Sequence, residues 1–346
     1  MKEKKIKITV IGAGSWGTTL SVMLAKEGND IDLWTHREAT YNEISTYQKN
    51  SKYTGELQIP DNIRPFIVKN MGFKTDTSIA IFAVPSHALR GVVKDFYKYL
   101  ESASGSVKCI LNLAKGFETG TNLRLSEVLE QSLPPGLKKK LCSLSGPNIA
   151  VEVARNLPSV SVIASKDEEI LKFLQPVLST KAFRVYTNKD VVGVEIGGAV
   201  KNIIAIASGI SDGLGYGANT KASLVTRGLY ELSKFGTKMG ANPLTFSGSA
   251  GMGDLIATCF SSHSRNRSVG ERLGRGETIS DITKSMYMVA EGIGTTRAVY
   301  ELAGEYNIEV PITECVYEII YNNLSPEKSV GKLMNRKFKP EVEDPT

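Results

Sequence analysis

Cysteine is scarce, histidine is scarcer, and neither is arranged to hold a metal. The four cysteines stand at 109, 142, 259 and 315 without a Cys-x-x-Cys pair, and His36, His87 and His263 are isolated from one another. That spacing offers neither a disulfide framework nor a zinc or iron site, and it suits a reducing compartment. Excess charge is small as well. Forty-two basic residues against 36 acidic ones leave +6 and a pI near 8.9, which is no nucleic-acid footprint by itself. The balance fits a small anionic ligand, or says nothing about ligands. No uninterrupted apolar run reaches the ~20 residues of a bilayer span, so no membrane insertion is expected. Residues 1–7 are basic and precede an apolar run, as in a secretory signal, yet Gly12, Gly14, Trp16 and Gly17 interrupt that run. The expected location is therefore the cytoplasm. Internal repeats and low-complexity segments are missing too.

What is present is ordinary in bulk and specific in detail. The 346 residues, 41% hydrophobic and 23% charged, suffice for about two domains with their own cores. Up to residue 190, short runs rich in Val and Ile at 6–11, 31–34, 79–84, 107–113, 141–145 and 159–164 alternate with amphipathic stretches such as 18–27 and 121–131. Runs that are apolar throughout suit parallel strands covered on both faces. The alternation predicts a doubly wound, mostly parallel α/β domain over 1–190. Beyond 190, helical spacing takes over at 191–210, 220–239, 268–275, 279–289, 294–306 and 312–322, predicting an all-α domain over 191–346. The tail, 336–346, reads as loose.

Gly12-Ala13-Gly14-Ser15-Trp16-Gly17 matches G-x-G-x-x-G, directly after the first strand run and directly before a helical run. In that setting Gly12 permits a tight turn, Gly14 lets backbone approach a pyrophosphate, and Gly17 lets helix pack on strand. The helix N-terminus adds free N–H groups for the anion. A dinucleotide-binding Rossmann domain follows. Its ribose is usually read by an acid at the end of the second strand, where this chain has Thr35-His36-Arg37. Asp32 lies inside the strand and should point into the sheet's packing. With His36 and Arg37 in place of an acid, the loop favours the 2′-phosphate of NADP(H) and leaves NAD(H) open.

Three further loops close strand runs: Ala83-Val84-Pro85-Ser86, then Asn112-Leu113-Ala114-Lys115-Gly116, then Leu144-Ser145-Gly146-Pro147-Asn148. Ligands bind at the carboxyl edge of such a sheet, so these loops should converge on one crevice, with Lys115 in it. Lys201 lies in a helical run of small and apolar residues with Asn202 beside it and Ser208 two turns on. A lysine there either snorkels out or is buried with a lowered pKa, fit to exchange a proton near neutrality. Ser249-Ala250-Gly251-Met252-Gly253-Asp254 suggests backbone held closely and Asp254 placed for a purpose. Ser264, Arg265 and Asn266 offer a hydroxyl, a guanidinium fork and an amide, a set suited to phosphate, although a solvated basic loop has the same composition.

Taken together these pieces resemble NAD(P)-dependent glycerol-3-phosphate dehydrogenase of the soluble bacterial type. The resemblance rests on Gly-Ala-Gly-Ser-Trp-Gly at 12–17, Ala-Lys-Gly at 114–116, Ser-Gly-Pro at 145–147 and Val-Lys-Asn at 200–202. Gly-Met-Gly-Asp-Leu at 251–255, Ser-Arg-Asn at 264–266 and Val-Ala-Glu-Gly at 289–292 continue it in order. It implies reversible reduction of dihydroxyacetone phosphate to sn-glycerol 3-phosphate, for phospholipid synthesis, by a cytoplasmic homodimer. By the same resemblance Lys201 is the proton carrier, while Lys115, Gly146, Asn148, Asp254, Ser264, Arg265 and Asn266 contact substrate. Ser15, Trp16, His36, Lys115, Ala150, Arg265, Val289 and Glu291 contact the cofactor, with Gly12, Gly14, Gly17 and Arg37 from the direct reading. Asn148 departs from the Ser or Thr of many relatives, and His36-Arg37 departs from more Arg-rich variants. Two other readings compete: a β-hydroxyacid or ketopantoate-type dehydrogenase, and a nucleotide sensor without chemistry. The Ser264-Arg265-Asn266 cluster argues against the first, and retention of both lysines against the second.

Overall fold

A computed structural model of the chain describes residues 5–67, 76–338 and 340–341. Part of the basic start and much of the 336–346 tail lie outside those residues. Among the described residues eight strands build one sheet: β1 (Lys7–Ile11), β2 (Asp30–Trp34), β3 (Ile63–Phe66), β4 (Ile79–Phe82), β5 (Cys109–Asn112), β6 (Leu141–Ser145), β7 (Ser159–Ala164) and β8 (Phe183–Asn188). Their order is β3-β2-β1-β4-β5-β6-β7-β8, and only the β6–β7 pairing is antiparallel. The order reverses direction between β1 and β4, which opens a crevice beyond the strands' carboxyl ends.

Side-chain alternation divides the interior into two layers. Ile79 and Ile81 of β4 join the layer of Leu20 and Leu24, whereas Ala80 and Phe82 join that of Val93, Phe96 and Val128. The covering helices are α1 (Ser15–Lys26), α2 (Glu38–Tyr47), α3 (Ser51–Thr54), α4 (Leu89–Ser102), α5 (Leu125–Ser132), α6 (Ala150–Ala154) and α7 (Glu168–Leu178). Two strands were not foreseen. Both are edges: β3 contains Pro65, which cannot donate to a ladder, and β8 alternates buried Phe183 and Val185 with exposed Arg184 and Tyr186. The helix expected over 121–131 starts only at Leu125, because Arg124 first pairs with Phe117 in an isolated bridge.

From Val191 onward the described residues contain helices and no strand: α8 (Val191–Gly213), α9 (Ala218–Lys238), α10 (Pro243–Phe246), α11 (Asp254–Phe260), α12 (Arg265–Gly274), α13 (Ile279–Ser285), α14 (Glu291–Glu305), α15 (Pro311–Asn322) and α16 (Pro326–Met334). Helix α8 is long and apolar enough to cross a bilayer, yet it is mostly buried as the hub on which α9, α11, α12 and α14 pack. The helix expected over 279–289 stops at Ser285, and residues 286–290 continue as a connecting strap.

Helices α8 and α12 approach backbone to backbone. Gly209 and Gly213 face Gly270 and Gly274; a Cβ on Gly270 would stand 1.9 Å from the Ile206 oxygen, and one on Gly209 1.9 Å from that of Arg267. No rotamer change can clear a backbone atom. Gly270→Ala should therefore cost at least the ~1–3 kcal/mol of an overpacked core, read as a lower urea midpoint at unchanged slope. A midpoint equal to wild type would mean that the two helices separate freely.

Candidate active site

The glycine loop carries the first half of the site. At Gly12, φ is +124°, and a Cβ would lie 2.4 Å from the Ala83 oxygen; at Gly17 it would lie 2.0 Å from the Gly12 oxygen. Both glycines are thus required by close backbone. Gly14 is different: a Cβ there would meet nothing within 4 Å, so the open side faces the crevice. Helix α1 begins at Ser15 and Trp16 with no side chain capping its first N–H groups. Asn50 fixes the loop from behind by donating to the Ala13 oxygen (3.0 Å). An uncapped helix N-terminus opening onto free space beside glycine fits a dinucleotide pyrophosphate.

In the middle of β2, Asp32 is held by Arg64 Nε (3.0 Å) and Lys7 Nζ (3.3 Å), engaged within the sheet. His36 is exposed, and Arg37 Nε donates to its Nε2 (3.2 Å). Burial and then the Arg37 charge hold the imidazole below its ordinary pKa. Of the pair, Arg37 is therefore the positive partner near neutral pH.

The reacting half lies where the sheet meets the helical region. Lys115, after β5, donates to Asp254 Oδ2 (2.6 Å) and to the Gly146 oxygen (3.1 Å). Lys201, in α8, donates to Asp254 Oδ1 and to Thr258 Oγ1 (2.6 Å). One carboxylate thus takes an ammonium on each oxygen. Asp254 is 2% exposed and Lys201 6%, and a π-helical turn, Ser249–Gly253, delivers Asp254 to this spot. Burial drives Lys201 down to about 8; Asp254 opposes that, and Lys115 adds to it. Burial alone would raise Asp254, but the two ammonium groups outweigh it and hold the carboxyl low. Gly198 lets α8 approach the end of β6, since a Cβ there would stand 2.5 Å from Ser145 Oγ.

The remaining candidates divide. Arg265 is exposed, and Nη1 donates to the Val289 oxygen (2.6 Å), leaving the rest of its fork free. Asn266 is buried: it donates to Asn202 Oδ1 (2.9 Å) and accepts from Gly292 N (2.9 Å), so its amide joins α8, α12 and α14. Ser264 caps α12 by accepting from Arg267 N (3.2 Å). Asn148 does not present its amide freely, because Nδ2 donates to the Val160 oxygen (3.0 Å) and Oδ1 accepts from Ser161 (2.9 Å). Ala150 is the half-buried first residue of α6. Glu291, first in α14, accepts from Ser86 N (3.0 Å) and Ser86 Oγ (2.5 Å), tying the helical region to the loop after β4. Ser208 bonds the Cys259 oxygen (3.1 Å) and supports packing. Sequence reading missed Thr258, although it lies four residues after Asp254 on the same helix face.

A glycine-loop crevice at the sheet's switch point, meeting a buried lysine–carboxylate–lysine cluster, defines a dinucleotide-dependent oxidoreductase. Comparison with known proteins narrows the class. Family models described as NAD-dependent glycerol-3-phosphate dehydrogenase N-terminus and C-terminus match residues 7–171 and 190–331. The chain is 44% identical over 337 residues to glycerol-3-phosphate dehydrogenase [NAD(P)+] of Bacillus thuringiensis, covering 97% of this chain and 98% of that one. Among solved structures, glycerol-3-phosphate dehydrogenase of Coxiella burnetii superposes with a TM-score of 0.87 at 34% identity, covering 96% of this chain and 99% of that one. The Plasmodium falciparum enzyme gives 0.84 at 25%, covering 98% of each. The chain belongs to the NAD-dependent glycerol-3-phosphate dehydrogenase family and is an NAD(P)-using enzyme of that kind.

Proposed function

We propose that the chain catalyses reversible reduction of dihydroxyacetone phosphate to sn-glycerol 3-phosphate, with NADP(H) preferred over NAD(H). The observation that carries the reaction is buried Asp254 shared between Lys115 and Lys201. When bound, the nicotinamide supplies or takes the hydride at C2 of the substrate. Gly12, Gly14, Ser15, Trp16 and Gly17 hold the pyrophosphate, and His36 and Arg37 meet the adenosine end. Lys201, lowered to about 8, holds a proton for the C2 oxygen and takes it back in reverse. Lys115 polarises the same oxygen, and Asp254 keeps both ammonium groups in place. Arg265 grips the substrate phosphate with its free donors; Ser264 and Asn266 act by fixing the start of α12 beneath it. Glycerol 3-phosphate formed here supplies the glycerophospholipid backbone in the cytoplasm; the enzyme acts as a homodimer, each chain with an NAD(P)-binding domain over 1–190 and a helical substrate domain over 191–346.

Turnover of NADPH and then NADH with dihydroxyacetone phosphate, against ketopantoate as the competing substrate, tests the reaction. Arg265→Lys tests the phosphate anchor. Lysine keeps the charge and loses the fork, so KM for the phosphorylated substrate should rise by about tenfold or more and kcat should fall with it. Dihydroxyacetone, lacking phosphate, should keep its low rate. An equal loss on both substrates, with NADPH affinity measured separately, would move the anchor to another residue.

A further inference from the structure

The strap 286–290 crosses from the helical region to the adenosine end of the dinucleotide site, and its Tyr287 lands on a cluster that the sequence did not suggest. The Tyr287 hydroxyl accepts from Arg37 Nη1. Its ring lies 5.5 Å from that of Tyr53, at 5.3 Å from the Arg37 guanidinium and at 3.5 Å from Lys52 Nζ. Tyr53 is hydrogen-bonded to the same hydroxyl, and burial with that bond pushes Tyr53 up to about 12. Tyr53 therefore stays a neutral phenol. Two residues on, the Val289 oxygen takes Arg265, and Glu291 takes Ser86. One short segment thus touches both the adenosine-end loop and the arginine assigned to the substrate phosphate.

The chemistry of the Tyr287 surroundings is that of an anion site. Arg37 spends one donor on His36 and one on Tyr287, leaving further guanidinium donors. Lys52 carries a second positive charge, and its partners here are the ring and hydroxyl of Tyr287, neither of which cancels that charge as a carboxylate would. The Tyr287 hydroxyl accepts from Arg37 and is hydrogen-bonded to Lys52 and Tyr53 as well; burial would raise its pKa, but these neighbours outweigh burial and hold it below the ordinary value, so its O–H is a polarised donor. Two cations and a hydroxyl donor at one point suit a phosphate monoester dianion, and the 2′-phosphate is the part of NADP(H) that NAD(H) lacks. Resting on the proposed NADP(H) use, we propose that Lys52 and Tyr287 complete, with Arg37, the 2′-phosphate site, so that the helical region itself reads the cofactor. Tyr287 is then a specificity residue, and 2′-phosphate binding anchors the strap across the crevice.

Calorimetric titration with 2′,5′-ADP and with ADP isolates the phosphate from turnover. Tyr287→Phe keeps the ring, and Lys52→Met keeps the stem. Each should weaken 2′,5′-ADP by about tenfold while leaving ADP within twofold, and KM should shift for NADPH but not NADH. Hydrogen exchange at 286–290 should slow with 2′,5′-ADP more than with ADP. Arg37→Gln separates the two levels of inference. If it discriminates between the nucleotides and neither Tyr287→Phe nor Lys52→Met does, the strap has no part in reading the phosphate. If Arg37→Gln weakens both nucleotides equally, the NADP(H) reading itself fails, and this inference with it.

Discussion

Lys201→Ala should lower kcat by ~10²–10⁴ while the protein folds and binds cofactor nearly as before. The fold survives because Asp254, the buried partner, keeps Lys115 on its other oxygen at 2.6 Å. Cofactor binding survives because the glycine loop and Arg37 are untouched. The lost rate amounts to roughly 3–5 kcal/mol of barrier, the worth of a positioned acid. A pH profile sharpens the test. With Lys201 titrating at about 8, kcat/KM for ketone reduction should fall as pH rises through that value, because the ammonium is the proton donor. Alcohol oxidation should rise through the same value, because the free amine is the acceptor. The opposite limbs must share one midpoint, and both must vanish in the variant. A variant turning over near the wild-type rate, or a limb that persists in it, would remove Lys201 from the chemistry.

Sequence patterning made the central elements legible and the edges illegible, for a physical reason. Strands β1 and β4–β7 are buried along most of their length and announce themselves as short, mostly apolar runs, whereas β2 interleaves Asp30 and Asp32 with buried Ile31, Leu33 and Trp34. Edge β3 is short and carries Pro65, edge β8 alternates buried with exposed residues, and both lack that signal. Within the site, Lys115, Lys201 and Asp254 each stood out from local context, and the fold joins them across 139 and 53 residues of chain. What stayed hidden depended on pairing at long separation. Glu195 of α8 looks like a surface residue of an apolar helix, yet it accepts from Arg124, Ser126 and Ser143 and locks the helical region onto the sheet. Glu231 of α9, pushed up to about 7 by burial, caps α15 by accepting from Ile312 and Thr313 N–H groups 81 and 82 residues away. Tyr287 belongs with these, because its partners Arg37 and Lys52 lie at the other end of the chain.

Asp254→Asn should be as damaging as loss of the lysine, by a different route, and the difference is measurable. The amide fills the same space but cannot neutralise two ammonium groups, so Lys115 and Lys201 face each other across a neutral side chain. Burial and Lys115 both lower Lys201 already, and Asp254 is the main force opposing them. Without it the Lys201 pKa drops below about 8, and the falling limb of ketone reduction moves to lower pH. At neutral pH the donor is then largely deprotonated and Lys115 repels what remains, which predicts a kcat loss of ~10² or more. Stability follows with a definite sign. A lysine whose folded pKa lies below its unfolded value opposes folding fully at low pH, and the opposition fades as pH rises toward the lysine's ordinary 10.5. The substitution deepens that opposition, and removing one partner from a buried charge cluster typically costs ~3–5 kcal/mol. Urea midpoints of the variant should therefore sit well below wild type at pH 6 and approach it at pH 9. The converse pattern, a deficit that grows with pH, would show that Asp254 supports the fold through something other than these two lysines. An unmoved pH limb with kcat within a few-fold of wild type would show that the carboxylate does not set the proton affinity of Lys201.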